Sequence, residues 1–301
     1  MTTVGYQESP GQHLRQAWAA QPLAVPGVFC PLVAKMAQRL GFSAIYLSGG
    51  ALSASLGLPD VGLITLTEVA QQAQAIVQAV GLPLICDADT GFGSTVNVER
   101  TVHLLETVGV AGLHLEDQEL PKRCGHLSGK AVIDAQEMVA KVQAAVAARR
   151  DPNLVIIART DARSVLGFDE AVRRGRLYKQ AGADVIFPEA LESADEFARF
   201  AREVEGPLLA NMTEFGRSPL LERQTLGEWG YRLILYPLTA FRTALRAAEQ
   251  ALRHLATHAQ QQELIPQMYT RAELYELLDY AGYEERDRQY FGLPPHSVPN
   301  L

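Results

Sequence analysis

Two aspartates stand one residue apart in DADTGFG, residues 87 to 93, and glycines follow them at 91 and 93. On an extended segment the side chains at i and i+2 point the same way, so Asp87 and Asp89 bring two carboxylates together. Such a pair repels itself unless protons or a cation intervene. Oxygen ligands with room for water select Mg2+, with Mn2+ as the possible substitute, over zinc, which would recruit His or Cys. Glu116, in AGLHLED, falls at the corresponding level of the next extended run and is placed to complete that shell, directly or through water. His114 lies deeper on the same run and is expected to be a satisfied core histidine.

A second stretch, KRCGHLSGK at 122 to 130, sets two cations, a thiol and an imidazole side by side. Lys122, Arg123 and His126 would stabilise a thiolate and lower the pKa of Cys124, and glycines at 125 and 129 imply a mobile loop. The residue types leave nucleophile and general acid both open. Cys30 and Cys86 read as buried, inert thiols. Three cysteines far apart, none in a CxxC pair, give neither a disulfide framework nor a structural zinc site. Arg159 lies between apolar neighbours, where a buried guanidinium requires a carboxylate or phosphate partner. Glu189, after Pro188, could supply that partner or contact a substrate hydroxyl. Lys122, Arg123, Arg242 and Arg271 are further candidate anion partners, the last two in helical segments where arginine is ordinarily solvated.

The elements that must position these groups are legible as apolar runs. Eight occur: AVPGVF near 24, SAIYLS near 43, PLICDAD near 83, AGLHLED near 111, LVIIARTD near 154, ADVIFPEA near 183, PLLANMTEF near 207 and YRLILYP near 231. Helical patterns separate them. In TLTEVAQQAQAIVQAVG, Val69, Ala73, Ile76 and Val80 share a face and Gly81 is the stop signal; TVNVERTVHLLETVG closes at Gly109. This alternation fits a parallel (β/α)8 TIM-type barrel or a doubly wound open sheet. Parity favours closure. It sets Leu84, Cys86 and Ala88 outward with Ile85, Asp87 and Asp89 inward, and Ala111, Leu113 and Leu115 outward with Gly112, His114 and Glu116 inward. The same count places Arg159 with Asp161, Phe187 with Glu189, and Asn211 with Thr213 on the inner face, a polar ring at the carboxyl ends that converges only if the sheet closes.

The expected organisation is one barrel domain over 1–301: an N-terminal extension at 1–20, a core at about 24–256, C-terminal helices at about 264–291 and a mobile tail at 292–301. The helices come from RAELYELLDY and YEERDRQYF, and either cap the barrel or dock on a partner subunit. A formal net charge of −7 argues against nucleic acid and anionic membranes as partners. With no signal-like leader and no membrane span, a cytoplasmic location is expected.

These motifs resemble the isocitrate lyase and phosphoenolpyruvate mutase superfamily over nearly the whole chain. YLSGG, SLGLPD, DADTGFG, GLHLEDQ, KRCGH, ARTDA, FPEA, NMTEFG, LYPLTAFR and TRAELYELLDYAGYEE appear in order. KRCGH narrows the resemblance to the lyases, and TRAELYE to the short methylisocitrate-type chains. HLSGK after the cysteine departs from the more basic, proline-containing loop of some members.

The resemblance implies Mg2+ at Asp87 and Asp89 with Glu116 in or near the shell. It implies contacts to a carboxylate substrate from Ser48, Gly49, Gly50, Cys124, Gly125, Arg159, Glu189, Asn211, Met212, Thr213, Arg242 and Arg271. It also implies a homotetramer that exchanges C-terminal helices, and cleavage of 2-methylisocitrate to pyruvate and succinate in the methylcitrate cycle of propionate catabolism. In that chemistry Cys124 fits the general acid, Tyr46 is the hypothesised base, and Phe187 and Leu235 are hypothesised walls of a methyl pocket. Isocitrate and 2,3-dimethylmalate lyases are the alternatives, with phosphonopyruvate-type isomerases or hydrolases behind them.

Overall fold

The structure, a computed structural model, describes residues 8–127 and 129–294. The first seven residues of the expected extension and residues 295–301 of the expected tail lie outside the described residues. All eight apolar runs form strands: β1 Leu23–Pro26, β2 Ile45–Leu47, β3 Leu84–Asp87, β4 Gly112–Glu116, β5 Val155–Thr160, β6 Val185–Pro188, β7 Leu208–Asn211 and β8 Tyr231–Tyr236. The helices are α1 Pro10–Ala20, α2 Pro31–Arg39, α3 Gly49–Ser55, α4 Leu66–Ala79, α5 Thr95–Thr107, α6 Ala135–Ala148, α7 Arg163–Leu166, α8 Phe168–Gln180, α9 Ala194–Glu203, α10 Arg223–Trp229, α11 Thr239–His258, α12 Arg271–Leu277 and α13 Tyr280–Tyr290. The chain divides into two compact units, Met1–Thr243 and Ala244–Leu301, so the boundary falls inside α11, earlier than residue 256.

In the first unit every strand pairing is parallel, in the order β1-β8-β7-β6-β5-β4-β3-β2. The two ends meet through one parallel bridge, Gly27 to Tyr46, with the Val28 N–H donating to the Tyr46 carbonyl at 2.8 Å. The sheet is thus a nearly closed (β/α)8 barrel, which removes the edges an open sheet would leave unpaired.

Strand parity sorts the core into two sets, each buried methylene in them contributing about 0.8 kcal/mol. Leu84, Cys86, Ala88, Leu113, Leu115, Ile156 and Ile186 pack outward against helix residues such as Val69, Ala73, Ile76, Val98 and Val102. Ile85, Tyr46, Ile157, Phe187, Leu209 and Leu235 fill the interior. Ala111, expected outward, belongs instead to the interior set, because it precedes β4 and has not yet entered its alternation. Leu14 and Trp18 of α1 join that set as well, so the N-terminal helix supplies side chains to the barrel interior, a role its sequence does not announce.

Local signals hold with one exception. Thr65 and Glu68 form a reciprocal capping box at α4, which buries Val69, Ala73 and Ile76. Val80 is its extended C-cap rather than part of the helical face. Gly109 closes α5 with φ at +93°, a conformation that suits glycine.

The second unit holds the rest of α11, a 3-10 turn at Gln262–Gln267, and α12 and α13. Leu245, Leu252 and Leu255 of α11 are exposed, as are Tyr283 and Tyr290 of α13.

Candidate active site

At the carboxyl ends of the strands a small pocket opens. Its walls include Tyr46, Ser48, Gly50, Asp87, Cys124, Gly125, Arg159, Glu189, Asn211 and Thr213, all expected from the sequence, together with Phe187 and Leu235. Asp60, Lys122, Arg123, His126, Pro237 and Leu238 complete it.

The two aspartates meet by a turn rather than by strand parity. β3 ends at Asp87, and Asp89 takes a left-handed φ of +45°, a strained state for a residue with a side chain. Three hydrogen bonds hold it there. Its N–H donates to Asp87 Oδ1 at 3.1 Å, its carbonyl accepts the Glu116 N–H at 2.9 Å, and the Ala88 N–H donates to the His114 carbonyl at 3.1 Å. Asp87 Oδ2 accepts the Gly49 N–H at 3.0 Å, and a Cβ on Gly49 would stand 2.9 Å from that oxygen, which explains the glycine.

Side-chain cations already meet these carboxylates. The Lys122 ammonium lies 2.7 Å from Asp89 Oδ1 and 2.5 Å from Asp60 Oδ1, so it neutralises acids and is not free to tune the thiol, as its sequence position had implied. Arg159 reaches Glu116 at 3.0 Å, Asp161 through Nε at 2.9 Å and Nη2 at 3.1 Å, and Glu189 at 3.7 Å. Burial pushes the Asp87 carboxyl up, but His114, Lys122 and Arg159 outweigh it and hold the group at about 2. Asp89 goes the other way: burial and the charge on Asp87 lift it to about 6. Burial also raises Glu116, whose Oε1 has no hydrogen-bond partner among the described residues.

Among the described residues no three His, Cys, Asp or Glu side chains form a ready-made metal cage. The donor set nevertheless suits a largely hydrated hard cation. Asp87 lines the pocket with Asp89 beside it, burial and the Asp87 charge lift Asp89 to about 6 in spite of Lys122, and Glu116 keeps a buried oxygen unused. Asp87 and Asp89 would hold such an ion, with Glu116 behind them.

Cys124 overturns its expectation. Burial raises its pKa and the nearby Glu189 carboxylate adds to this, against the lowering effects of the His126 N–H and of Arg159, so the group is a thiol rather than a thiolate. The loop is also not held open by its glycines. A Cβ on Gly125 would lie 2.3 Å from Arg159 Nη2 and 2.4 Å from Glu189 Oε1, so this glycine lets the loop press onto the site. His126 Nδ1 accepts the Arg217 N–H at 3.0 Å, which leaves the ring proton on Nε2, 3.1 Å from Glu189 Oε1. Arg159 and His126, despite burial, hold Glu189 ionised far below the usual carboxylate range.

Tyr46 sits deep, 2.8 Å from His114 Nε2, and donates to Asp87 Oδ2 at 3.3 Å. Burial and the Asp87 charge raise its pKa well above the ordinary value, so it is a phenol and not a standing base. His114 is only half satisfied, since its Nδ1 has no hydrogen-bond partner among the described residues.

Of the expected contacts in the first unit, Gly49, Met212 and Arg242 do not line this pocket. Met212 turns into the outer core, where its sulfur accepts the Leu221 N–H at 3.2 Å, because it follows Asn211 by one residue and takes the opposite face. Arg242 is held by Glu214 at 3.2 Å, with its guanidinium 5.3 Å over the Phe215 ring. Arg271 opens α12 in the second unit. The sequence reading missed Asp60, although SLGLPD contained it: an acid after a proline in a loop carries no sign of the lysine it will meet.

Residues 14–256 match the family model for phosphoenolpyruvate phosphomutase. A 2-methylisocitrate lyase from Aeropyrum pernix is 51% identical over 283 residues, covering 94% of this chain and 91% of the relative. Among solved structures, a 2,3-dimethylmalate lyase superposes with a TM-score of 0.89 at 33% identity, covering 98% of this chain and 100% of that one. A phosphonopyruvate hydrolase in complex with oxalate and Mg2+ does so with a TM-score of 0.86 at 30% identity, covering 94% and 100%.

Proposed function

The chain belongs to the phosphoenolpyruvate mutase and isocitrate lyase superfamily, and on that premise we propose that it is a 2-methylisocitrate lyase, cleaving 2-methylisocitrate to pyruvate and succinate. One observation carries the mechanism: Cys124 and the Asp87 carboxylate line the same pocket, with Arg159 between the acids that orient it, and burial raises the pKa of that thiol. The family's divalent metal is read as Mg2+ at Asp87 and Asp89, with Mn2+ able to replace it. When bound it supplies Lewis-acid stabilisation of the oxyanion that develops on cleavage.

The chain's own groups do the rest. Arg159, fixed by Asp161 and Glu116, presents its remaining donor capacity to a substrate carboxylate. Ser48, Gly50, Asn211 and Thr213 line the pocket as polar contacts, while Phe187 and Leu235 form the apolar wall for the substrate methyl. Tyr46 takes the substrate hydroxyl proton as a relay and releases its own to His114 Nε2 at 2.8 Å, in the tautomer in which that nitrogen accepts and the phenol turns from Asp87 to His114. The carbon–carbon bond then breaks, and Cys124 gives its proton to the succinate carbanion. A thiol whose pKa is raised stays loaded for that task at neutral pH.

The exposed leucines of α11 in the second unit support a homotetramer in which C-terminal helices exchange. The proposed setting is propionate catabolism through the methylcitrate cycle in the cytoplasm. No described helix is long and apolar enough to cross a membrane. The deciding experiment offers 2-methylisocitrate, isocitrate and 2,3-dimethylmalate separately with Mg2+ and detects the keto product. Pyruvate from 2-methylisocitrate at the highest kcat/KM is expected; glyoxylate from isocitrate at higher efficiency would overturn the substrate assignment.

A further inference from the structure

The Lys130 side chain is almost fully buried, yet it does not line the pocket. Its ammonium lies 2.5 Å from Asp161 Oδ1 and donates to the Gly125 carbonyl. On the other side of the cysteine, Gln118 Nε2 donates to the Arg123 carbonyl at 2.8 Å and its Oε1 accepts the Arg123 N–H at 2.9 Å. The same Gln118 Nε2 is 3.3 Å from Asp161 Oδ1. The two carbonyls that flank Cys124 are therefore both held by groups that converge on one carboxylate oxygen. Asp161 in turn accepts two hydrogen bonds from Arg159.

We propose that Lys130 is a positioning residue: it clasps the Cys124 segment to Asp161 and so ties the placement of the thiol to the placement of the Arg159 guanidinium. A buried ammonium is retained only where partners meet it, and both of these partners belong to the reacting region. Opening the loop would strip Lys130 of the Gly125 carbonyl and leave Asp161 to Arg159 and Gln118 alone. The clasp makes the loop position and the substrate-carboxylate anchor two ends of one hydrogen-bonded unit. This rests on the reading of Cys124 as proton donor, but the geometry it describes is independent of turnover.

The test is Lys130→Met in the full chain with Mg2+, which removes the ammonium of the clasp while Asp161 keeps its two Arg159 bonds. Iodoacetamide labelling of Cys124, followed by mass spectrometry, is expected to quicken by about tenfold or more as the loop opens locally, while Cys86 in the outer core stays protected. In the same variant kcat falls further than KM rises, and Lys130→Arg recovers part of both. Unchanged labelling of Cys124 would overturn the proposal, as would labelling of Cys86 in step with it, which would make Lys130 a support of the barrel at large. Were Cys124→Ser to prove active, the proton-donor reading would fail while the labelling result still judged the clasp.

Discussion

The Lys122 ammonium stands 2.7 Å from Asp89 Oδ1, on the acid whose carboxyl is lifted to about 6 by burial and by Asp87. Even with that cation beside it, Asp89 carries a proton in a sizeable fraction of molecules just below neutrality, and a divalent ion must displace that proton to bind. Metal binding is thus expected to release more protons at pH 5.5 than at pH 7.5, and the apparent affinity to fall as pH drops through about 6. Calorimetry in two buffers of different ionisation enthalpy measures the released fraction; Asp89→Asn should abolish its pH dependence. Asp87, held at about 2, contributes no proton in that range.

Cys124 must be protonated to act as the acid. Because burial raises its pKa above the ordinary thiol value, the kcat profile should hold through neutral and mildly alkaline pH and decline only as pH rises past that raised value. Cys124→Ser is expected to lower kcat by about 10²-fold or more while metal and pyruvate still bind, as read by steady-state kinetics and calorimetry. A full-activity serine variant would remove the thiol from the mechanism.

Gly125→Ala tests whether the loop must press onto the site. The added methyl would meet Arg159 Nη2 at 2.3 Å and Glu189 Oε1 at 2.4 Å, so the loop must retreat by an ångström or more. A misplacement of that size costs about 10²-fold in rate. Thermal unfolding should change little, since the clash is relieved at the surface of the barrel end.

Behind the site, Asp117 accepts from Thr160 at 2.8 Å, the Asp161 N–H at 2.8 Å, Tyr178 at 2.7 Å and Arg174 at 3.0 Å. Asp117→Ala leaves a buried guanidinium and three donors without their acceptor, and is expected to destabilise the fold by about 3 to 5 kcal/mol in urea unfolding.

What the sequence determined by itself was periodic or local. Alternation in strands such as Leu84–Asp87, helical spacing in Leu66–Ala79 and the stop at Gly109 depend on neighbours within a few residues, and the inward places of Asp87, Glu116, Arg159 and Asn211 within their strands follow from counting by two. Motif resemblance then placed Cys124 and Asp87 in one site. The charge state of those groups was not determined there. Lys122 beside Cys124 in sequence reads as a thiolate stabiliser, but the fold spends it on Asp60, sixty-two residues away, and on Asp89. The thiol is left facing Glu189 in a buried setting, which keeps its proton. The inward fill of Leu14 and Trp18, the retreat of Met212 and Arg242 and the convergence on Asp161 were likewise decided only in three dimensions. Desolvation and ion pairing depend on which distant side chains share a cavity, and spacing along the chain carries no record of that.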